Sequence, residues 1–158
     1  MIRSMQSSEI SACVALIRES FATVAAEFGF TPENAPRFTA FATTEERLTW
    51  QFQQGRPMFV FCEGGEIVGY FSLELRETSC ELNNLCTRPD RRHQNIGGRL
   101  LSFAFDEAKR RGYAKMEIGI VEENARLRRW YESHGFVHTG TKKFDFFPFT
   151  CGYLGRSL

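Results

Sequence analysis

The chain has 158 residues, 42% of them hydrophobic and 25% charged, with a formal net charge of +1. That length and balance fit one globular domain, residues 1–158, with a core large enough to fold alone. Near-neutral charge excludes a global pull towards nucleic acid or an anionic membrane surface, so any positive site has to be local.

Met1 to Gln6 lacks the apolar core of a signal peptide, and Ile2 to Met5 reads as a short first strand. Ser7 and Ser8 offer caps for a helix from Glu9 to about Phe28, where Ile10, Val14 and Ile17 recur at helical spacing before Gly29. Thr31 to Pro36 is a loop. Thr43 with Glu46 has the form of a capping box, opening a short helix that ends near Gln54 and Gly55. Met58 to Glu63 and Ile67 to Leu75 are strands joined by a tight Gly64-Gly65 hairpin turn. Glu81 to Thr87 is a further strand. Ile96 to Arg111 is an amphipathic helix ended by Gly112. Lys115 to Val121 is a strand, and Asn124 caps a short helix that runs to His134 and stops at Gly135. Val137 to Phe144 and Phe149 to Tyr153 form a closing pair of strands. Hairpins followed by two strand–helix units predict an α/β fold, a mixed sheet with helices on both faces.

No apolar run approaches the ~20 residues of a membrane span. Five cysteines (Cys13, Cys62, Cys80, Cys86, Cys151) are scattered and form no CxxC pair. Reduced thiols in a cytoplasm are therefore expected, rather than a zinc site or a disulfide framework. His93, His134 and His138 share no metal-ligand spacing, so no metal is expected. Phenylalanine is unusually frequent, at 16 residues; many are expected in the core and a few to line an apolar pocket.

The segment from Leu85 to Leu101 carries the most chemistry. It reads as a strand, then a basic glycine-bearing turn, then a helix. Unpaired backbone N–H groups and the positive end of a helix dipole meet at such a turn, and a pyrophosphate fits it. Arg92-His93-Gln94-Asn95-Ile96-Gly97 also resembles the first cofactor motif of the GNAT N-acetyltransferase superfamily: Gln or Arg, two residues, Gly, one residue, Gly or Ala. Asn95 stands where that pattern has Gly, and Asn tolerates a left-handed backbone better than most residues. Asn124 to Phe136, with Tyr131 and Gly135-Phe136, is similar to the second motif. Glu81 falls where histone-type members carry a catalytic glutamate. The resemblance spans about Met58 to Phe144.

This resemblance implies a mixed, mostly antiparallel sheet of about seven strands flanked by about four helices. It also implies acetyl-CoA as cosubstrate, with acetyl transfer to a primary amine by direct attack in a ternary complex. Leu85, Cys86 and Thr87 would splay from the neighbouring strand and offer backbone groups to the pantetheine arm. Arg92, His93, Gln94, Asn95, Ile96, Gly97 and Gly98 would wrap the pyrophosphate, with Arg99 adding charge. Asn124 would contact the cofactor arm. Glu81 would be the base and Tyr131, also against the cofactor, the acid. Cys86 has no His-type activating neighbour, so a covalent acyl intermediate fits less well.

The acceptor is expected to be a small-molecule amine. Phe144, Asp145 and Phe147, in the loop between the last two strands, are candidates for its pocket; a hydrophobic plug or dimer contact fits them equally. Asn83 and Asn84 are unusual for a strand and either bind substrate or mark a bulge. A protein amine as acceptor, and a CoA-binding sensor without catalysis, stand as alternatives. A homodimer through the C-terminal strands is a further expectation. A nucleic-acid binder built on Arg88, Arg91 and Arg92 is disfavoured, because the basic cluster is short.

Overall fold

The computed structural model describes all 158 residues. Seven strands form one sheet: β1 (Ile2–Ser4), β2 (Met58–Glu63), β3 (Glu66–Leu75), β4 (Cys80–Thr87), β5 (Lys115–Val121), β6 (Val137–Lys143) and β7 (Thr150–Ser157). Their spatial order is β1-β2-β3-β4-β5-β7-β6, and every pairing is antiparallel except β4 with β5. The helices are α1 (Ile10–Phe28), α2 (Thr39–Ala42), α3 (Glu45–Gln53), α4 (Ile96–Arg110) and α5 (Ala125–Ser133). The fifth is the single turn α2, too short to show a periodicity in sequence.

Strand alternation divides the core. Phe59, Phe61, Phe71 and Leu73 point to one face and pack with Leu100, Leu101 and Ala104 of α4. Met58, Val60 and Tyr70 point to the other and pack with Cys13, Val14 and Ile17 of α1. A third cluster joins Ala25 and Phe30 to Phe38, Ala40, Val121 and Phe149, so α2 closes over the far end of the sheet. Gly69 lets α4 sit close: a Cβ there would lie 2.7 Å from Leu100 Cδ1 and 3.2 Å from Phe61 Cβ.

Two caps differ from the sequence expectation. Thr44, not Thr43, caps α3, its hydroxyl accepting from Arg47 N at 3.1 Å; Thr43 instead donates to Thr39 O at the end of α2. The 3₁₀ turn Ser7–Glu9 leads into α1, and the Glu9 carboxylate accepts from Gln6 N at 2.8 Å, so Gln6 rather than either serine starts the segment.

The sheet is interrupted where it matters most. Tyr70 faces Cys86 while Ser72 faces Asn83, so Phe71 opposes two residues, Asn84 and Leu85. Asn84 takes a left-handed φ of 55°. This bulge, one of the two readings of the Asn83-Asn84 pair, reverses the facing of β4: Leu82 packs with α4, Cys86 with α1. Parallel pairing of β4 with β5 covers only Cys80–Met116 and Glu81–Glu117. Beyond Glu81 the two strands part and open a wedge.

Candidate active site

Two clefts meet in that wedge. One, of about 540 Å³, lies between α1, the end of β4, the turn before α4, and α5. The other, of about 280 Å³, lies between β4, β5 and the aromatic cluster under α2. Phe21, Val24, Leu85, Asn124, Leu127 and Tyr131 line both.

The larger cleft has the features of an anion cradle. Arg88 leads into a 3₁₀ turn, Pro89–Arg91, and the chain then reverses through His93 (φ 65°) and Asn95 (φ 61°), both left-handed. Asn tolerates that region, which explains how Asn95 replaces a glycine here. No side chain caps α4, so its first-turn N–H groups lack both intrahelical and capping acceptors and face an anion-sized space. Gly98 keeps that turn open: a Cβ on it would lie 2.3 Å from Asn95 Oδ1. His93, Asn95, Ile96, Gly97 and Gly98 line the cleft, as do Leu85, Cys86 and Thr87; Gln94 does not.

The basic residues are less free than their sequence suggests. Arg92 lines the cleft, but its guanidinium donates to Ser20 O at 3.1 Å and Thr23 Oγ1 at 3.0 Å, tying the turn to α1. Arg91 pairs with Glu63, and Arg99 lies over the Phe61 ring at 4.7 Å, outside the cleft. Arg126 of α5 lines the cleft and pairs with Glu27 at 2.9 Å. With Trp130, Ser20 and Phe21 it is a lining residue that sequence reasoning missed. Helical spacing marked an apolar face on α1 but carried no information about what lies across from it.

Tyr131 sits where the clefts join, buried, with its ring edge-on to Trp130 and Phe136 at 4.9 and 5.4 Å. Its place follows from the start of α5, where Asn124 Oδ1 accepts from Leu127 N at 3.2 Å. Burial pushes the Tyr131 phenol well above its ordinary pKa, so it holds its proton throughout the physiological range. Cys86 is pushed up to about 12, again by burial. A neutral thiol is a poor nucleophile.

Glu81 lines neither cleft. Its carboxylate pairs with Arg76, whose guanidinium also reaches Glu74 at 3.1 Å and Glu117 at 3.6 Å. Burial raises the Glu81 pKa, Arg76 opposes that, and the like charges of Glu74 and Glu117 add to it. A carboxyl lifted above its usual range suits a base working near neutrality. Asn83 connects Glu81 to the smaller cleft. With its amide oriented to satisfy both neighbours, it donates to Glu81 Oε1 at 3.3 Å and accepts from Arg56 Nη1 at 3.2 Å.

The smaller cleft is walled by Phe21, Phe38, Phe147 and Phe149, with Asn83 and Tyr153 on its polar side. Of the loop residues anticipated for it, Phe147 lines the wall. Phe144 stacks on Phe146 at 5.1 Å outside it, and Asp145 is exposed. No group of His, Cys, Asp and Glu is arranged to hold a metal ion, and no helix is long and apolar enough to cross a membrane.

Comparison with known proteins agrees with this fold. An N-acetyltransferase encoded in the pepI 3′ region of Lactobacillus delbrueckii subsp. lactis, uncharacterised, is 23% identical over 133 residues, covering 78% of this chain and 76% of that protein. The ribosomal protein bS18-alanine N-acetyltransferase of Escherichia coli K12 is 28% identical over 94 residues, covering 60% of this chain and 63% of that one. PaiA N-acetyltransferase from Thermoplasma acidophilum, solved with coenzyme A, superposes with a TM-score of 0.83 at 17% identity, over 100% of this chain and 98% of that one. The profile of the acetyltransferase (GNAT) family matches residues 22–136, reaching further towards the N-terminus than the motifs alone, into the C-terminal end of α1, and on that match the chain belongs to the GNAT acetyltransferase family.

Proposed function

We propose that this chain transfers an acetyl group from acetyl-CoA to a primary amine of a small molecule, by direct attack in a ternary complex. The observation that carries this reading is the meeting of an anion cradle and an aromatic cleft at one buried, protonated phenol, Tyr131.

The residues present fit the cofactor. The uncapped start of α4, with Gly97 and Gly98, takes the pyrophosphate, and Leu85 to Thr87 offer backbone groups in the wedge beside β5. Thr87 O is already engaged by the Ser20 hydroxyl at 3.1 Å, which fixes the direction of that strand end. Bound there, acetyl-CoA supplies a thioester carbon open to an amine and a sulfur able to leave. Glu81 accepts a proton from the ammonium form of the acceptor through water on the Asn83 side, leaving the nitrogen a lone pair. Tyr131 carries the proton that a departing sulfur needs, and its burial keeps that proton from escaping to solvent.

A protein N-terminus as acceptor is the second reading, favoured by the E. coli relative that acts on a ribosomal-protein alanine. The aromatic wall and the small volume of the acceptor cleft support a small molecule over it. A CoA sensor without catalysis leaves the placement of Tyr131 unexplained. The test is calorimetry with acetyl-CoA, followed by thiol release with a panel of amines and N-terminal peptides. Low-micromolar binding with amine-dependent thiol release supports the reading. Binding with no turnover on any acceptor refutes it in favour of the sensor.

A further inference from the structure

The charge of the acceptor cleft points to its substrate. Among the residues lining it, Arg37 alone carries a formal charge, and that charge is positive. Arg37 is exposed, but it sits two residues after Ala35 and directly before Phe38, both buried, with Phe38 N bonded to Ala35 O at 3.0 Å, so its backbone is anchored. Its guanidinium lies 4.1 Å from the centre of the Phe146 ring. Stacking uses the flat face of a guanidinium and leaves the N–H edge free, the edge that matches a carboxylate. No acidic side chain of this chain takes that edge, and Arg37 makes no hydrogen bond within it.

The acidic residues near the other side of the cleft do not offset this. Glu74, Glu81 and Glu117 are matched by Arg56, Arg76 and Lys115 in one network. None of these three carboxylates is left without a basic partner. We infer that the acceptor is a primary amine carrying a carboxylate on an apolar body, with Arg37 binding the carboxylate against the aromatic wall. This assignment rests on the acetyltransferase reading above and narrows it.

The experiment compares matched acceptors with and without the carboxylate: L-phenylalanine against 2-phenylethylamine, and 5-aminovalerate against butylamine, with spermidine as the polycationic control. In at least one pair, kcat/KM should favour the carboxylate member by about 10-fold or more. Arg37→Ala should lower that member by about 10- to 100-fold, the size of a charge-assisted hydrogen bond, and leave its decarboxylated partner unchanged. Arg37→Lys should recover part of the loss. Thermal melts of both variants establish that the fold is kept. Equal rates within both pairs, a preference for spermidine, or an equal loss on both members in Arg37→Ala would overturn the role of Arg37 while leaving amine acetylation standing. No transfer to any amine by protein that binds acetyl-CoA would overturn both.

Discussion

Replacing Arg76 by Ala tests whether Glu81 is the base. Arg76 favours the charged form of Glu81, so its loss should raise the Glu81 pKa and move the acidic limb of the kcat/KM profile to higher pH. Two unit charges about 4 Å apart interact by about 1 kcal/mol in water and about 4 kcal/mol at an effective dielectric constant of 20. At 1.36 kcal/mol per pH unit that spans about 0.7 to 3 units. The Arg76 side chain is 49% exposed and divides its charge among Glu74, Glu81 and Glu117, which places the effect at the low end, about one unit. The assay is product formation followed by mass spectrometry from pH 5 to 9 with saturating acetyl-CoA. Arg76→Lys should keep most of the original profile, and high salt should move the unsubstituted protein towards the variant. An acidic limb that stays in place in Arg76→Ala, with rates merely scaled down, would refute Glu81 as the titrating base.

Three further outcomes follow from the packing. Tyr131→Phe should lower kcat by about 100-fold or more while leaving the calorimetric affinity for acetyl-CoA and the melting temperature almost unchanged, because the phenol makes no hydrogen bond in the chain; a parallel loss of affinity would make it a packing residue. Gly98→Ala should drive the Asn95 amide outward into the cradle and weaken acetyl-CoA binding about 3- to 10-fold by the size of a small steric shift, and Asn95→Gly in the same chain should restore it. Gly69→Ala should overpack α4 against β3 at a cost of about 1–3 kcal/mol, read as a fall of about 3–10 °C in melting temperature.

Local signals in the sequence transferred well to the structure. The Gly64-Gly65 hairpin, the Asn124 cap and the Gly112 and Gly135 stops all lie where their chemistry put them, because each depends on a few adjacent residues. The turn before α4 was legible for the same reason, including the left-handed Asn95. The acceptor cleft was not. Phe147 was reachable from the aromatic run, but Arg37, Phe38 and Tyr153 come from separate segments that meet only after folding. The fate of the basic residues was equally hidden: a run such as Arg91-Arg92 says nothing about Glu63 or Ser20 across the fold. Thr43 and Thr44 offered the same cap chemistry one residue apart, and the preceding turn α2, absent from any periodic signal, decided between them by taking Thr43 as its own end.

The brief seam between β4 and β5 has a mechanical meaning. Two residue pairs weld a four-stranded panel, built from the first 87 residues, to a three-stranded panel built from the last third of the chain. A cofactor lying along the open part of that seam acts as mortar between panels that the backbone alone joins weakly. Ligand binding restricted to the folded state adds RT ln(1 + [L]/Kd) to stability. The heat resistance of this chain, and the slowing of amide exchange along Leu82 to Thr87, should therefore rise and fall with the acetyl-CoA concentration around it.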